Sequence, residues 1–320
     1  MELTKVAGAL ISLLRMLATG QLIKPITILR CFITSNSITS GNVDYDEREL
    51  AKFNRFARII IQSIFFWVFI DTILFPFANS TGYELFRFRL PSSWVGKRAS
   101  NFLNTFLVGA TPVAIIPKII CCTACIGVIL TGMRTKLHLL AHRFKKIVQL
   151  DPNDEQYFER VVHDLREAVD QHAVYWSYLG IMKHLVGKLF LLVHYFSVFA
   201  IGGMIFACNE MQFSFMTIIF AVSVSFFLSE YYLLCHLADS LQDEATSISN
   251  DIFVLCSQIP FKPECRSEYI QLRTTLMIVW ITTCNGISVD CKGIFKINRH
   301  TFVAMLNVAY SFTTFLIQMN

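Results

Sequence analysis

The sequence predicts an all-α protein: a polytopic membrane helix bundle with helical extensions on the cytoplasmic side. Three observations predict it. Of 320 residues, 54% are hydrophobic and only 16% charged, against roughly a quarter charged in a soluble domain, and the mean hydropathy is +0.51. The apolar residues are gathered into runs of about 20, the length that crosses a hydrocarbon layer about 30 Å thick. Between the runs, apolar positions recur at the spacing of an amphipathic helix rather than a strand.

The opening run, Val6 to Ala18, is short and interrupted by Arg15. A secretory signal peptide competes for this position. Glu2 spoils the basic leader and no small-residue cleavage pattern follows, which favours a membrane helix over 3–19. Phe56 to Ala78 is a clear span over 56–78 with an aromatic middle. Phe102 to Met133 (102–133) exceeds one perpendicular crossing and carries Pro112 and Pro117, so a tilt or kink is expected. Spans at 181–208 and 211–235 are separated so briefly that they must be antiparallel neighbours. A weaker span covers 271–288, and 302–318 closes the chain. No internal repeat or Gly/Ser linker divides it, so residues 1–320 form one unit.

The segments outside the runs are helical too. Asp151-Pro152-Asn153-Asp154 supplies an N-cap, a proline at the first helical position and an acidic first turn. Phe158, Val161, Val162, Leu165, Val169 and His172 then recur at helical spacing. Leu137, Leu140, Phe144, Ile147 and Val148 make a second apolar stripe, beside Lys136, Arg143, Lys145 and Lys146. With Arg134, these basic residues crowd one helix end, which the positive-inside rule places in the cytoplasm together with loop 134–180 and the amino-terminal side of the 56–78 span. Loop 79–101 and the C-terminus are then extracellular. Asn79-Ser80-Thr81 in that loop is an N-glycosylation sequon consistent with this side, although Arg87, Arg89, Lys97 and Arg98 pull the other way.

The net charge of +5 is dispersed among apolar spans and forms no nucleic-acid footprint. Most of the ten cysteines fall in or beside apolar stretches, as small core hydrophobes do. Cys122 and Cys125 form a CxxC with no second pair, so neither a metal site nor any cofactor is expected. No catalytic constellation is visible: HExxH, GxSxG and phosphate-binding glycine loops are absent, and His163-Asp164 reads as part of a solvated helix face. Asp71 and Lys118 are charges at membrane depth that must face protein or water. Each either pairs with a polar neighbour or borders a ligand pocket. The last span interleaves Asn307, Ser311, Thr313, Thr314 and Gln318 with Phe302, Leu306, Tyr310, Phe312, Phe315 and Met319, a pattern that serves pore lining and helix packing equally.

Thr301-Phe302-Val303-Ala304-Met305-Leu306-Asn307-Val308-Ala309-Tyr310-Ser311-Phe312 resembles the signature final helix of insect odorant receptors, seven-helix ligand-gated cation channels unrelated to G-protein-coupled receptors. Leu90-Pro91 followed by Trp94 is similar to that family's element before its fourth helix, with Val95 and Gly96 where Tyr-Pro is usual. The stretch opening at His172 looks like the helix entering the fifth span. Cys235, Ala238 and Asp239 resemble a Cys-x-x-Gly-Asp/Glu element after the sixth. On this pattern 271–288 and 302–318 are the two parts of one split seventh helix, a first helix has no counterpart, and a fragment or truncated form is the expectation. The resemblance implies an anchor domain of inner helices, a heterotetramer with the shared olfactory co-receptor in the plasma membrane, a volatile ligand and a central cation pore. Carried onto matching positions, the pore constriction falls at Phe315, Gln318 and Met319. Pocket candidates, chosen for outer-half depth and apolar character, are Phe69, Ile73, Phe106, Ala110, Phe213 and Thr217.

Two other readings stand beside this one. A gustatory receptor of the same superfamily would end in a Thr-Tyr...Gln-Phe pattern, whereas here Ala309 precedes Tyr310 and Met319 follows Gln318. A polytopic membrane enzyme or transporter would need a polar catalytic cluster or inverted repeats.

Overall fold

The structure, a computed structural model, describes residues 10, 13–14, 17–18, 20–80, 96–110, 116–151, 156–210, 213, 215–259, 261, 263 and 266–319. Most of the expected 3–19 span and the Leu90-Pro91...Trp94 element lie outside the described residues. The helices run α1 (Ile23–Thr34), α2 (Val43–Ser80), α3 (Lys97–Ala110), α4 (Ile116–Val148), α5 (Tyr157–Glu210), α6 (Phe215–Gln258), α7 (Arg266–Gly286) and α8 (Arg299–Met319).

Local chemistry sets the boundaries. Pro25 sits in the first turn of α1 and Pro117 in that of α4, where a missing N–H costs no helical hydrogen bond. The stretch expected as one kinked span is carried by α3 and α4, with 111–115 outside the described residues. Asn42 caps α2, its Oδ1 accepting the Tyr45 N–H at 3.2 Å. Asp44 and Asp46 occupy the first turn, where acidic groups complement the helix dipole. Asn298 caps α8 in the same way, accepting from the Thr301 N–H at 2.9 Å. Between α7 and α8 the chain makes a small hairpin. Asp290 bridges Lys296, and the turn takes Lys292 and Gly293 through positive φ.

At 1.5 Å per residue the 54 residues of α5 extend about 80 Å, more than twice the hydrocarbon thickness. A large part of α5 therefore stands outside the bilayer. Among the described residues five helices are long and apolar enough to cross a membrane: those within 43–70, 120–148, 157–210, 216–258 and 299–319. The helix α7 has the length but not the apolarity to join them. None of the most apolar stretch of α2 is buried, which leaves Phe65, Phe66 and Phe69 pointing outward. That face suits lipid, not water.

The core lies where α4, α5 and α6 pack together, with α1 laid over α4 and α5 and with α7 against α6. Both amphipathic stripes read from the sequence face inward: Leu137, Leu140, Phe144 and Ile147 on α4, and Phe158, Val161, Leu165 and His172 on α5 are buried. His163 is exposed. Two of the basic residues beside the α4 stripe are buried as well, Lys136 at 2% and Arg143 at 7% exposure. The Lys136 ammonium donates to the Ser35 carbonyl just past α1 at 2.5 Å. Arg143 pairs with Glu167 on α5. Charge alone would place both at the surface, but the end of α1 and its following loop cover them and supply the acceptors that a buried cation requires.

Candidate ligand cavity

Three of these helices line an open cavity of about 740 Å³. Phe56, Ile59, Ile60, Ser63 and Trp67 of α2 form one wall, at the i, i+3, i+4, i+7, i+11 spacing of one helix face. Ile120, Thr123, Ala124 and Gly127 of α4 form the second. Phe213 and the face of α6 that runs from Thr217 to Leu234 form the third. Where α2 nears α6, Trp67 and Phe226 stand with ring centroids 4.7 Å apart.

Neighbouring contacts fix which face of α6 reaches the cavity. Tyr231 is buried against α5, its hydroxyl 2.7 Å from His194 Nδ1. Its neighbour Glu230 then falls on the cavity side. Ser225 donates its hydroxyl to the Ala221 carbonyl at 2.9 Å, and Ser229 donates to the Ser225 carbonyl at 2.8 Å. Both serine oxygens keep accepting lone pairs. The remaining lining is apolar or aromatic, as suits a small ligand held by burial and dispersion.

Of the pocket candidates read from the sequence, Phe213 and Thr217 line this cavity. Phe69 and Ile73 lie on other faces of α2, 63% and 44% exposed, and Phe106 is 62% exposed on α3. Depth selected them, but azimuth decides. From Trp67, two further residues turn the helix by about 200°, so Phe69 points away from the face that lines the cavity. Ala110 ends α3 and Asn79 belongs to α2, while their side chains, like those of Asp71 and Lys118, lie outside the described residues. Trp67, Ser63, Ser225, Ser229 and Glu230 were not picked out from the sequence. Their signal was present: polar residues three to four apart inside an apolar run share one helix face.

On α8, Met305, Ala309 and Thr313 are buried and the helix packs chiefly on α5. Phe315, Gln318 and Met319 are all exposed. Among the described residues no group of three or more His, Cys, Asp or Glu side chains could hold a metal ion.

The model of the 7tm Odorant receptor family matches residues 32–310. Two solved structures share the fold. The insect olfactory receptor OR5 from Machilis hrabei in complex with eugenol is similar with a TM-score of 0.76 at 13% identity, over 99% of this chain and 81% of that one. The structure of the same receptor described without eugenol gives 0.74 at 13% identity, over 99% and 80%. No curated protein matches in sequence. Likeness at such low identity speaks for the fold alone, but the family match spans most of the chain and includes the Thr301–Tyr310 motif. This multi-pass membrane protein belongs to the 7tm odorant receptor family, a family of membrane receptors rather than enzymes.

Proposed function

We propose that this chain is the odorant-binding subunit of a ligand-gated, non-selective cation channel in the plasma membrane. It holds a volatile in the α2–α4–α6 cavity and assembles with the olfactory co-receptor as a heterotetramer. The observation that carries the reading is the cavity itself: about 740 Å³, walled mainly by apolar and aromatic side chains. A volatile offers few hydrogen bonds and is held mainly by apolar burial, at about 25 cal/mol per Å². One similar structure is a complex with eugenol, a ligand of that kind.

The basic end of α4 and loop 134–180 face the cytoplasm, so the C-terminal end of α8 and the sequon at Asn79 face outward. In that frame Phe213 and Thr217 close the outer end of the pocket. Phe315, Gln318 and Met319 line the pore at the symmetry axis. Four such helices meeting there would use side chains that a lone subunit leaves exposed. The volatile opens the channel by binding the open arrangement more tightly than the closed one, and shifts the equilibrium only by that difference.

The test is co-expression with the co-receptor in a cell line, with odorant-evoked current recorded against each subunit alone. Cation current that needs both subunits is expected. Silence across a broad odorant panel, with both chains at the surface, would overturn the proposal.

A further inference from the structure

The cavity wall is not uniformly greasy, and two of its serines present acceptors only. On α6, Ser225 and Ser229 lie one turn apart, and each hydroxyl proton is committed to a carbonyl of its own helix. What they offer outward is lone pairs. Glu230 stands beside Ser229 on the same wall. On the α4 wall of the same cavity, Thr123 is 5% exposed and its hydroxyl makes no hydrogen bond among the described residues. A mid-helix threonine ordinarily settles its hydroxyl on the carbonyl four residues back, as Thr131 and Thr135 do on this same helix. A buried hydroxyl left without a partner is costly, and a turn about its Cα–Cβ bond exchanges hydroxyl for methyl towards the cavity.

We infer that this wall selects volatiles bearing a hydrogen-bond donor, of which alcohols and phenols are the class, with the donor seated at Ser225 and Ser229 and the ligand oxygen within reach of Thr123. The inference rests on reading the cavity as the odorant pocket. A hydroxyl supplies a proton to the two serine oxygens and an acceptor for the orphaned threonine. An ether of equal size supplies only the acceptor and brings no proton to the two serine oxygens. A site built to pair a ligand hydroxyl discriminates against the analogue lacking its proton more sharply than any apolar pocket discriminates by size.

Isomers isolate this one difference. Octanol against heptyl methyl ether, and phenylethyl alcohol against benzyl methyl ether, keep composition and differ in the donor. Binding is read on the 320-residue chain in lipid nanodiscs as the part of ligand-induced tryptophan quenching that Trp67→Phe abolishes. At least one alcohol is expected to bind about tenfold more tightly than its ether, the effect of one net hydrogen bond. In the Ser225→Ala/Ser229→Ala variant that ratio should fall towards one. Thr123→Val is the second variant, nearly isosteric and without the orphaned hydroxyl, so its fold should hold; the ratio should fall about threefold or more. Equal affinities within both pairs, ratios unmoved by either variant, or no quenching by any of the four compounds would overturn the inference. The readout is independent of current. An intact ratio without odorant-evoked current would count against channel gating and not against donor selection, and current with equal affinities would do the reverse.

Discussion

Asp239 on α6 accepts the backbone N–H of Arg299, the first residue of α8, at 3.0 Å. The Arg299 guanidinium closes the same contact, with Nε 3.4 Å from that carboxylate and Nη2 3.0 Å from His236 Nδ1. Asp239 thus supplies, from another helix, an acceptor for one of the N–H groups that every helix leaves unpaired at its start. It belongs to the Cys235–Asp239 element singled out in the sequence. Because α6 also walls the cavity, the contact ties a cavity-lining helix to the start of the candidate pore helix. Asp239→Ala should cost about 1 kcal/mol of stability, as loss of a helix cap does. It should also shrink the odorant-evoked current with less effect on ligand affinity. Unchanged thermal midpoint and current would rule the contact out as a link.

Close approach of α5 to its neighbours depends on two glycines. A Cβ at Gly202 would lie 2.6 Å from a Phe312 ring carbon and 3.2 Å from the Ala309 carbonyl, where Thr313 also donates to the Gly202 carbonyl at 3.3 Å. At Gly187 it would meet the Asp290 carbonyl oxygen at 2.4 Å, and that oxygen belongs to a hairpin backbone with little freedom to retreat. Both alanine variants should destabilise, by about 1–3 kcal/mol each for overpacking, with Gly187→Ala the worse. Unfolding midpoints in detergent decide this, and a neutral Gly187→Ala would show that the hairpin yields freely.

Gln318 lies on the exposed part of α8 beyond its buried contact with α5. If it lines the pore, Gln318→Ala removes an amide from the ion path and should change single-channel conductance or cation selectivity by about twofold or more, with surface delivery preserved. Identical unitary currents would remove this residue from the pore.

Cys291, in the α7–α8 hairpin, is fully buried, and burial, helped by the neighbouring Asp290 carboxylate, pushes its thiol up to about 12. At pH 8 the reactive thiolate is then about one part in ten thousand. Cys31, Cys121 and Cys284 are exposed. Maleimide should label Cys31 and Cys284, which lie outside the spanning stretches, while sparing Cys291 until the hairpin opens, as peptide mapping by mass spectrometry would show. Early labelling of Cys291 would mean that the hairpin detaches from α5 in the native state.

Sequence alone carried the fold class a long way, because the run lengths and charge gaps of membrane helices are written locally. The two amphipathic stripes were legible for the same reason: helical periodicity names the buried face before its partner is known. The final-helix motif pointed to the family. Helical phase relative to neighbours is a different kind of fact. Phe69 and Trp67 are both large aromatics at similar depth on one helix, and only the placement of α4 and α6 puts Trp67 in the cavity wall and leaves Phe69 outside. Lys136 and Arg143 likewise look like surface charges until α1 and its following loop close over them. One-dimensional pattern therefore determined which segments are helices and what each must bury, since those follow from backbone hydrogen bonding and hydrophobicity. Which side chains share a cavity depends on how rigid helices rotate and lean against one another, and that was decided only by tertiary packing.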